Sequence, residues 1–452
     1  MKLAALLIIL ISAVPAGAQQ ITLGQAARET LSYSRNIKSA AAAAEAAGET
    51  VKQAEAMRLP KLSYSSQLTT GDDPVYVFGS LLRQNKFTAA DFDLGRLNEP
   101  DDRVNFSNAV SAEIPLFTGF RIANYKKLGE NRTEQSRRVL DFTGQAELFG
   151  TVQNYLMLGF KSELKKIAEE TEKSTAEELK VADRLRSKGF ILGSDYYAAQ
   201  SALSGIKSSR AALDKEILAE SASLAVRLGR DPETMLTPAP GFSAFLYETE
   251  DEKTQIAGLK EARGDIAAAR LEAKNAGISR EIEADSVLPQ IGAFAELQTN
   301  TRDFSSNPVS RTAGINMTIE FGDFTRDSRI KQREAQKKQA EQKAAAMTDS
   351  AVSELLKLRK QYESAKAALP AAKEAVENAK RSLEIFKPMF RNGRQSVLEV
   401  VRAEAALMAA RSSLAEITFK LHSYYASALF MAGELDTAAA DRIGAAVAGG
   451  AK

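Results

Sequence analysis

Two tracts of this chain, residues 121 to 188 and 325 to 391, each run for about 67 residues rich in Ala, Glu, Lys, Gln, Arg and Leu. These residues favour helix. At 1.5 Å per residue, such a tract spans on the order of 100 Å. No globular core needs a helix of that length, so the tracts must pack laterally on other helices. Apolar steps such as Leu164 with Ile167, and Val181 with Leu185, supply the seams.

Each tract ends in the same kind of corner, SKGFILGSD at 187–195 and RNGRQSVLE at 391–399. Each corner leads into an Ala-rich helical run, AAQSAL in one case and RAEAAL in the other. Gly189 and Gly393 lie 204 residues apart, and so do the carboxylates Asp195 and Glu399 that follow them. Glycine reaches backbone conformations closed to other residues, which suits a helix end that reverses into a second helix. Two antiparallel helical hairpins are therefore expected. Asp195 and Glu399 fall in the first turn after each corner, where helix capping alone would account for a carboxylate.

The rest of the chain repeats with the tracts. Residues 22–58 favour helix up to Leu59-Pro60, and 265–287 do so up to Leu288-Pro289. The period then changes from that of a helix to two. In the first copy Leu62, Tyr64 and Leu68 alternate with Ser63, Ser65, Gln67 and Thr69. A second run sets Val104, Phe106, Val110, Ala112, Ile114 and Leu116 against Asn105, Ser107, Ser111 and Glu113. The later copy repeats this with Ile291, Ala293, Ala295 and Leu297, and again with Ala313, Ile315, Met317, Ile319 and Phe321. Strands are expected over about 61–70, 103–117, 288–300 and 311–321, the last two joined around SSNPVS.

The plan is thus one helix–strand–strand–helical-hairpin unit, duplicated over 19–228 and 264–433. A Pro-containing link at 229–263 separates the copies, and the small-residue tail 434–452 is expected to be flexible. Residues 1–18 combine Lys2, an apolar run and small residues around Gly17, and read as a secretory signal cleaved after Ala18. The absence of Cys rules out a lipoprotein anchor and disulfides, and His422 is the sole histidine. With a formal charge of +2 there is no net field to draw nucleic acid, and the basic run 331–343 reads as a solvated helix face. Nucleotide loops and paired metal-ligand motifs are missing, so no enzyme activity, cofactor or metal is expected.

Four strands with unlike faces admit two readings: a small sheet lying on a core, or part of a transmembrane barrel whose apolar face meets lipid. Four strands cannot close a barrel, so the second reading requires several chains.

The segments ITLGQAARETL, IPLFTGFR at 114–121, the helices ending in Leu-Pro before a strand, the paired glycine corners and RGDIAAARLEAKNA resemble the TolC family of outer-membrane efflux proteins. The resemblance runs in order over nearly the whole chain after residue 18. It implies a mainly α protein with a transmembrane β part, assembled as a homotrimer. Each protomer would give four strands to a 12-stranded barrel in outer-membrane lipid and its helices to a periplasmic α-helical barrel. A small equatorial domain built from the link and the C-terminal region would belt that tube. The implied partners are a periplasmic adaptor and an inner-membrane pump, with the adaptor meeting the hairpin tips at Gly189 and Gly393.

By the same resemblance Asp195 and Glu399 match acidic residues at the pore entrance, where three copies would form rings favouring cations. Other residues at the entrance depart from the family pattern. Arg402 stands where well-known members carry an acid and lies within helical pairing reach of Glu399. Members can lock the tip with a Tyr three residues before the second Gly and an Arg two residues after it; here those places hold Phe390 and Gln395, with Arg394 one step earlier. Phe390 is expected to close the gap by packing, and Pro388 to loosen the helix end. A long loop at 71–102 has Phe78, Leu81 and Leu82 at helical spacing. The competing identities are a periplasmic adaptor and a poreless coiled-coil protein.

Overall fold

The computed structural model describes residues 19–303 and 309–450. The expected signal segment and residues 304–308 of the SSNPVS turn lie outside the described residues. The chain forms β1 (Gln19–Ile21), α1 (Leu23–Tyr33), α2 (Arg35–Ala56), β2 (Lys61–Gly71), α3 (Pro74–Arg83), α4 (Leu94–Asn98), β3 (Arg103–Thr118), α5 (Arg121–Ser187) and α6 (Gly193–Leu228). It continues with β4 (Leu236–Pro238), α7 (Glu252–Ala262), α8 (Gly264–Ala284), β5 (Gln290–Thr301), β6 (Val309–Thr318), α9 (Arg326–Arg391), α10 (Val397–Ala432) and α11 (Thr437–Val447). Two compact units are present. One holds Ala43–Ser136 with Ala268–Ala344, and the other holds the chain up to Ala42, Arg137–Ala267 and everything from Ala345 onward.

In the Ala43–Ser136 unit the four long strands form one antiparallel sheet in the order β2-β3-β5-β6. Register decides what each face carries. Tyr64 lies opposite Val110, Val110 opposite Leu297, and Ala112, Ala295 and Ala313 share a row, so all four strands bring apolar residues to one face, while Phe294, opposite Glu113 and Gly314, falls on the other. Among the described residues, none covers the outer part of that face. Leu62, Tyr64, Leu68, Ile315 and Met317 are each more than 60% exposed. The opposite face is polar and internally bonded: Ser63 Oγ lies 2.6 Å from Ser111 Oγ, and Gln298 Nε2 donates to Ser107 Oγ at 2.9 Å.

The strand limits differ from the sequence expectation at two places. β6 spans 309–318, so Ile319 and Phe321 lie beyond it. Register also shifts between Pro115 and Phe117, making Leu116 a bulge residue out of phase with the apolar row. Proline has no N–H to give the ladder, which is why irregularity collects there.

The helical stretches of this unit keep the order of the strands they join. Gly129 lets α5 approach α2, where an added Cβ would lie 3.2 Å from Val51 Cα. Gln135 Nε2 of α5 donates to Glu272 of α8 at 2.7 Å, and Arg329 of α9 pairs with Glu283 of α8 at 2.6 Å.

The other unit packs segments of both copies around Leu148, Val152, Tyr155 and Leu156 of α5, Leu224 of α6, Leu421 of α10 and Ile443 of α11. The first helical stretch is broken rather than continuous: Ser34, with ψ at 123°, ends α1 before α2 begins. β1 and β4 pair in parallel, fixing the link between the copies to the start of the described chain. The tail expected to be flexible instead contains α11, because Ala439, Ala440, Ile443, Ala446 and Val447 recur at helical spacing and are buried. Small residues seat it closely on α1, since a Cβ at Gly444 would lie 3.0 Å from Leu23 Cβ.

His422 is wholly buried in this unit. Its Nδ1 lies 2.6 Å from the Tyr247 hydroxyl and its Nε2 lies 2.8 Å from the Ser243 carbonyl oxygen. The carbonyl can only accept, so Nε2 carries the proton and Nδ1 accepts from Tyr247. Burial is the main cause that pulls the imidazole down to about 4, and it pushes the Tyr247 hydroxyl up. The node ties the link to α10 as packing.

Candidate functional site at the paired hairpin tips

The two corners share one backbone solution. Gly189 and Gly393 have φ of 79° and 72°, the left-handed region. At the first, Gly189 N donates to Arg186 O and Phe190 N to Leu185 O, both at 2.9 Å; at the second, Gly393 N donates to Phe390 O and Arg394 N to Met389 O, both at 2.9 Å. This paired bonding satisfies carbonyls left free at a helix end. A Cβ on either glycine would meet no atom within 4 Å, so conformation, not space, demands glycine here.

The returning helices start differently. Ser396 caps α10, its Oγ accepting from Leu398 N at 3.2 Å, whereas Leu192 before α6 offers no side-chain cap. Ser396 Oγ also donates to Asp195 Oδ2 at 2.9 Å. That bond joins the tip of one copy to the tip of the other. Asp195 is therefore a half-buried link residue in the first turn of α6. Glu399 in the first turn of α10 pairs with Arg402 at 2.6 Å on an open surface, where such a pair contributes little. Arg394 is exposed and Gln395 half-buried.

Phe390 does not project from the tip. It is fully buried with Leu179, Ala182, Ala199, Leu383, Val397 and Val400, so it packs the hairpins together within the chain rather than lining an opening. α9 runs on through Pro388 to Arg391 instead of stopping, because the lost donor frees only the carbonyl one turn earlier.

Two buried carboxylates at the tips escaped the sequence reading. Glu178 on α5, with a side chain 2% exposed, accepts from two nitrogens of Arg391 on α9, one of them at 3.2 Å. Glu404 on α10, 3% exposed, pairs with Lys387 at 2.8 Å and accepts from Ser174 Oγ, while Lys387 Nζ donates to Ser174 Oγ at 2.5 Å. Both links bridge the two copies. The Glu178 carboxylate holds the Arg391 guanidinium above its usual range. Removing one partner of such a buried pair costs more than the pair contributes, since it strands a charge. No spacing rule points to these residues; the only hint is acid placed in otherwise apolar stretches such as RAEAAL.

Tip one also presents an apolar surface. Phe190, Leu192 and Tyr197 are 74%, 69% and 61% exposed, and Arg186 stacks over the Tyr196 ring beside them at 4.8 Å. Exposed aromatic and aliphatic side chains grouped on a rigid turn are what a protein partner buries.

The sequence profile described as outer membrane efflux protein matches residues 26–230 and 256–427, most of the chain. The chain belongs to the outer membrane efflux protein family. Its fold is that of solved outer-membrane channels at low identity. The CmeC channel of Campylobacter jejuni superposes with a TM-score of 0.78 at 15% identity, covering 92% of this chain and 87% of its own. VceC of Vibrio cholerae gives 0.75 at 14% identity, with 91% and 96% covered. The open state of MtrE from Neisseria gonorrhoeae gives 0.73 at 12% identity, with 91% and 89% covered. No curated protein sequence matches the chain. Family membership makes this an outer-membrane efflux channel component extending into the periplasm, and it does not support the adaptor or poreless alternatives.

Proposed function

We propose that three copies of this chain form one conduit of a tripartite efflux or secretion system, passively conducting cargo delivered by an inner-membrane pump and a periplasmic adaptor. The observation that carries the reading is the four-stranded sheet: among the described residues one continuous apolar face is left bare, one polar face is bonded to itself, and the outer edges of β2 and β6 are unpaired. Lipid tolerates no unpaired strand edge, so the edges must pair with other copies. Three sheets of four give the 12 strands that the resemblance implies. The polar faces then line the lumen and the apolar faces meet lipid.

At the hairpin tips, Asp195 and Glu399 of three copies would ring the entrance and favour cations, with Arg402 reducing the net charge of the Glu399 ring. The exposed Phe190, Leu192 and Tyr197 around Gly189 are the adaptor contact, with the Gly393 corner beside them. The purified protein in planar bilayers is expected to carry cation-preferring current, and cross-linking in detergent to stop at a trimer. Asp195→Asn with Glu399→Gln is expected to move the reversal potential toward anion permeation. Trimers that carry no current, or a monomer soluble without detergent, would sink the reading.

A further inference from the structure

The two strand hairpins of the sheet are closed very differently. β5 and β6 are separated by residues 302–308, whereas β2 and β3 are separated by residues 72–102, which contain α3 and α4. Helix α3 is set by its sequence. Asp73 caps it by accepting from Tyr76 N at 2.8 Å, and Pro74 occupies the first turn.

Where α3 rests is decided by residues of known facing. Gly71, Arg103 and Asn105 belong to the same face of the sheet as Ser63, Ser111 and Ser107, the polar face. A Cβ on Gly71 would point at the Tyr76 ring, 3.8 Å away. Arg103 donates to Gln84 Oε1 from Nε at 3.0 Å and from Nη2 at 2.6 Å. Gln84 Nε2 in turn donates to Asn105 Oδ1 and to the Val104 carbonyl, both at 2.9 Å, and Asn105 Nδ2 donates to Asn300 Oδ1 of β5 at 3.0 Å. Gln84 is 1% exposed and Asn300 1% exposed. The helix therefore rests on the end of the polar face next to its own hairpin, where it also comes into contact with β5. A buried amide with every group engaged is costly to displace, so this is a built seat.

The side of α3 turned away from the sheet carries Val75, 80% exposed, and Leu82, 48% exposed, while Val77, Ser80 and Gln84 face inward. We infer that loop 71–102 is a selectivity collar at the outer mouth: α3, seated by Gln84, narrows the lumen and offers its cargo an apolar ring of Val75 and Leu82 from each copy. This rests on the reading of the polar face as lumen. An apolar constriction passes ions and polar solutes poorly because water leaves it readily, so the collar discriminates by size and polarity at the exit.

The absence of native Cys makes a labelling test clean. Gln298→Cys places a thiol on the polar face of β5, inward of the collar. In outer membranes, a small charged maleimide and one carrying a bulky rigid fluorophore are added from outside. The small reagent is expected to label this position in the otherwise unchanged protein, and the bulky one to label it slowly. Replacing 74–99 by a short Gly-Ser linker, or unseating α3 with Gln84→Ala, is expected to speed bulky labelling by about tenfold or more; Leu82→Glu, which wets the ring, should speed the charged reagent instead. Equal bulky labelling with and without the loop, in trimers that remain intact, overturns the collar. Failure of even the small reagent to reach the thiol in the loop-replaced protein, where no collar stands in its way, overturns the lumen reading beneath it.

Discussion

The two hairpin tips are built on the same backbone and dressed in opposite ways. Tip two hides its aromatic, with Phe390 at 0% exposure, and caps its returning helix with Ser396. Tip one shows its aromatic, with Phe190 at 74%, and leaves its returning helix without a side-chain cap. The glycine corners are equivalent down to hydrogen-bond lengths, so the divergence lies wholly in side chains. Duplication preserved what the chain reversal needs and freed the rest. One tip became the packing element that holds four helices together, and the other keeps its apolar side chains exposed, the surface proposed for the adaptor.

The largest expected effect tests that division. Phe390→Ala removes a buried ring and leaves a cavity among Leu179, Leu383 and Val400, a change that costs about 3–5 kcal/mol in well-packed cores. Phe190→Ala removes a ring already in water, and the change is expected to stay within about 0.5 kcal/mol. Hydrogen exchange at the tip amides measures the first, with protection falling along residues 383–403. Adaptor affinity measures the second, which should weaken without any change in exchange. If both variants lose protection alike, the tips are not functionally divided.

A change of pH should separate the tips from the rest of their unit. His422 sits at about 4 in the folded chain against about 6.5 when free, so the folded state binds fewer protons over that interval. The stability contributed by the neutral imidazole is complete above about pH 6.5 and is lost as pH falls toward 4, by about 3 kcal/mol in all. Protonation would also set two donors against each other at Nδ1, where Tyr247 donates. Acid is therefore expected to loosen the link and α10 around His422 before the tips, read as earlier loss of exchange protection near 243–247 than near 390. His422→Gln should flatten that order.

Much of this architecture was legible because long repeating segments average over their exceptions. The 204-residue offset of the corners, the alternation in the four strands and the Leu-Pro stops each rest on several residues. What stayed hidden depended on single partners far away in sequence. Ser174 and Glu178 meet Lys387 and Arg391 at an offset of 213 residues, not 204, so no comparison of the copies could align them. Phe390 was expected to pack, but whether toward an opening or into the chain depends on the neighbours the fold delivers. The tail is small and repetitive in composition, which points to flexibility, while the periodic burial of Ala439, Ile443 and Val447 is what makes it a helix. Helix α3 announced itself by spacing, yet its seat on the polar face follows from Gln84 and Asn105, two residues with no pattern between them.

The smallest effect asks whether the shared backbone is truly shared. Ala at Gly189 or Gly393 adds a methyl into open space, so packing contributes nothing and only the left-handed φ matters. That strain costs about 1 kcal/mol or somewhat more for an Ala, partly offset because Ala narrows the unfolded ensemble. The two variants are expected to lose the same stability, since both corners have φ within ten degrees of each other and the same pair of bonds. Equality at the corners alongside inequality at Phe190 and Phe390 would place the divergence in side chains alone. A marked excess loss at Gly393, followed by thermal unfolding of the protein, would mean instead that the Ser396 and Asp195 bond makes the second corner intolerant of movement. Ser396→Ala in the same background decides between the two, because removing that bond should bring the corners back to equal cost.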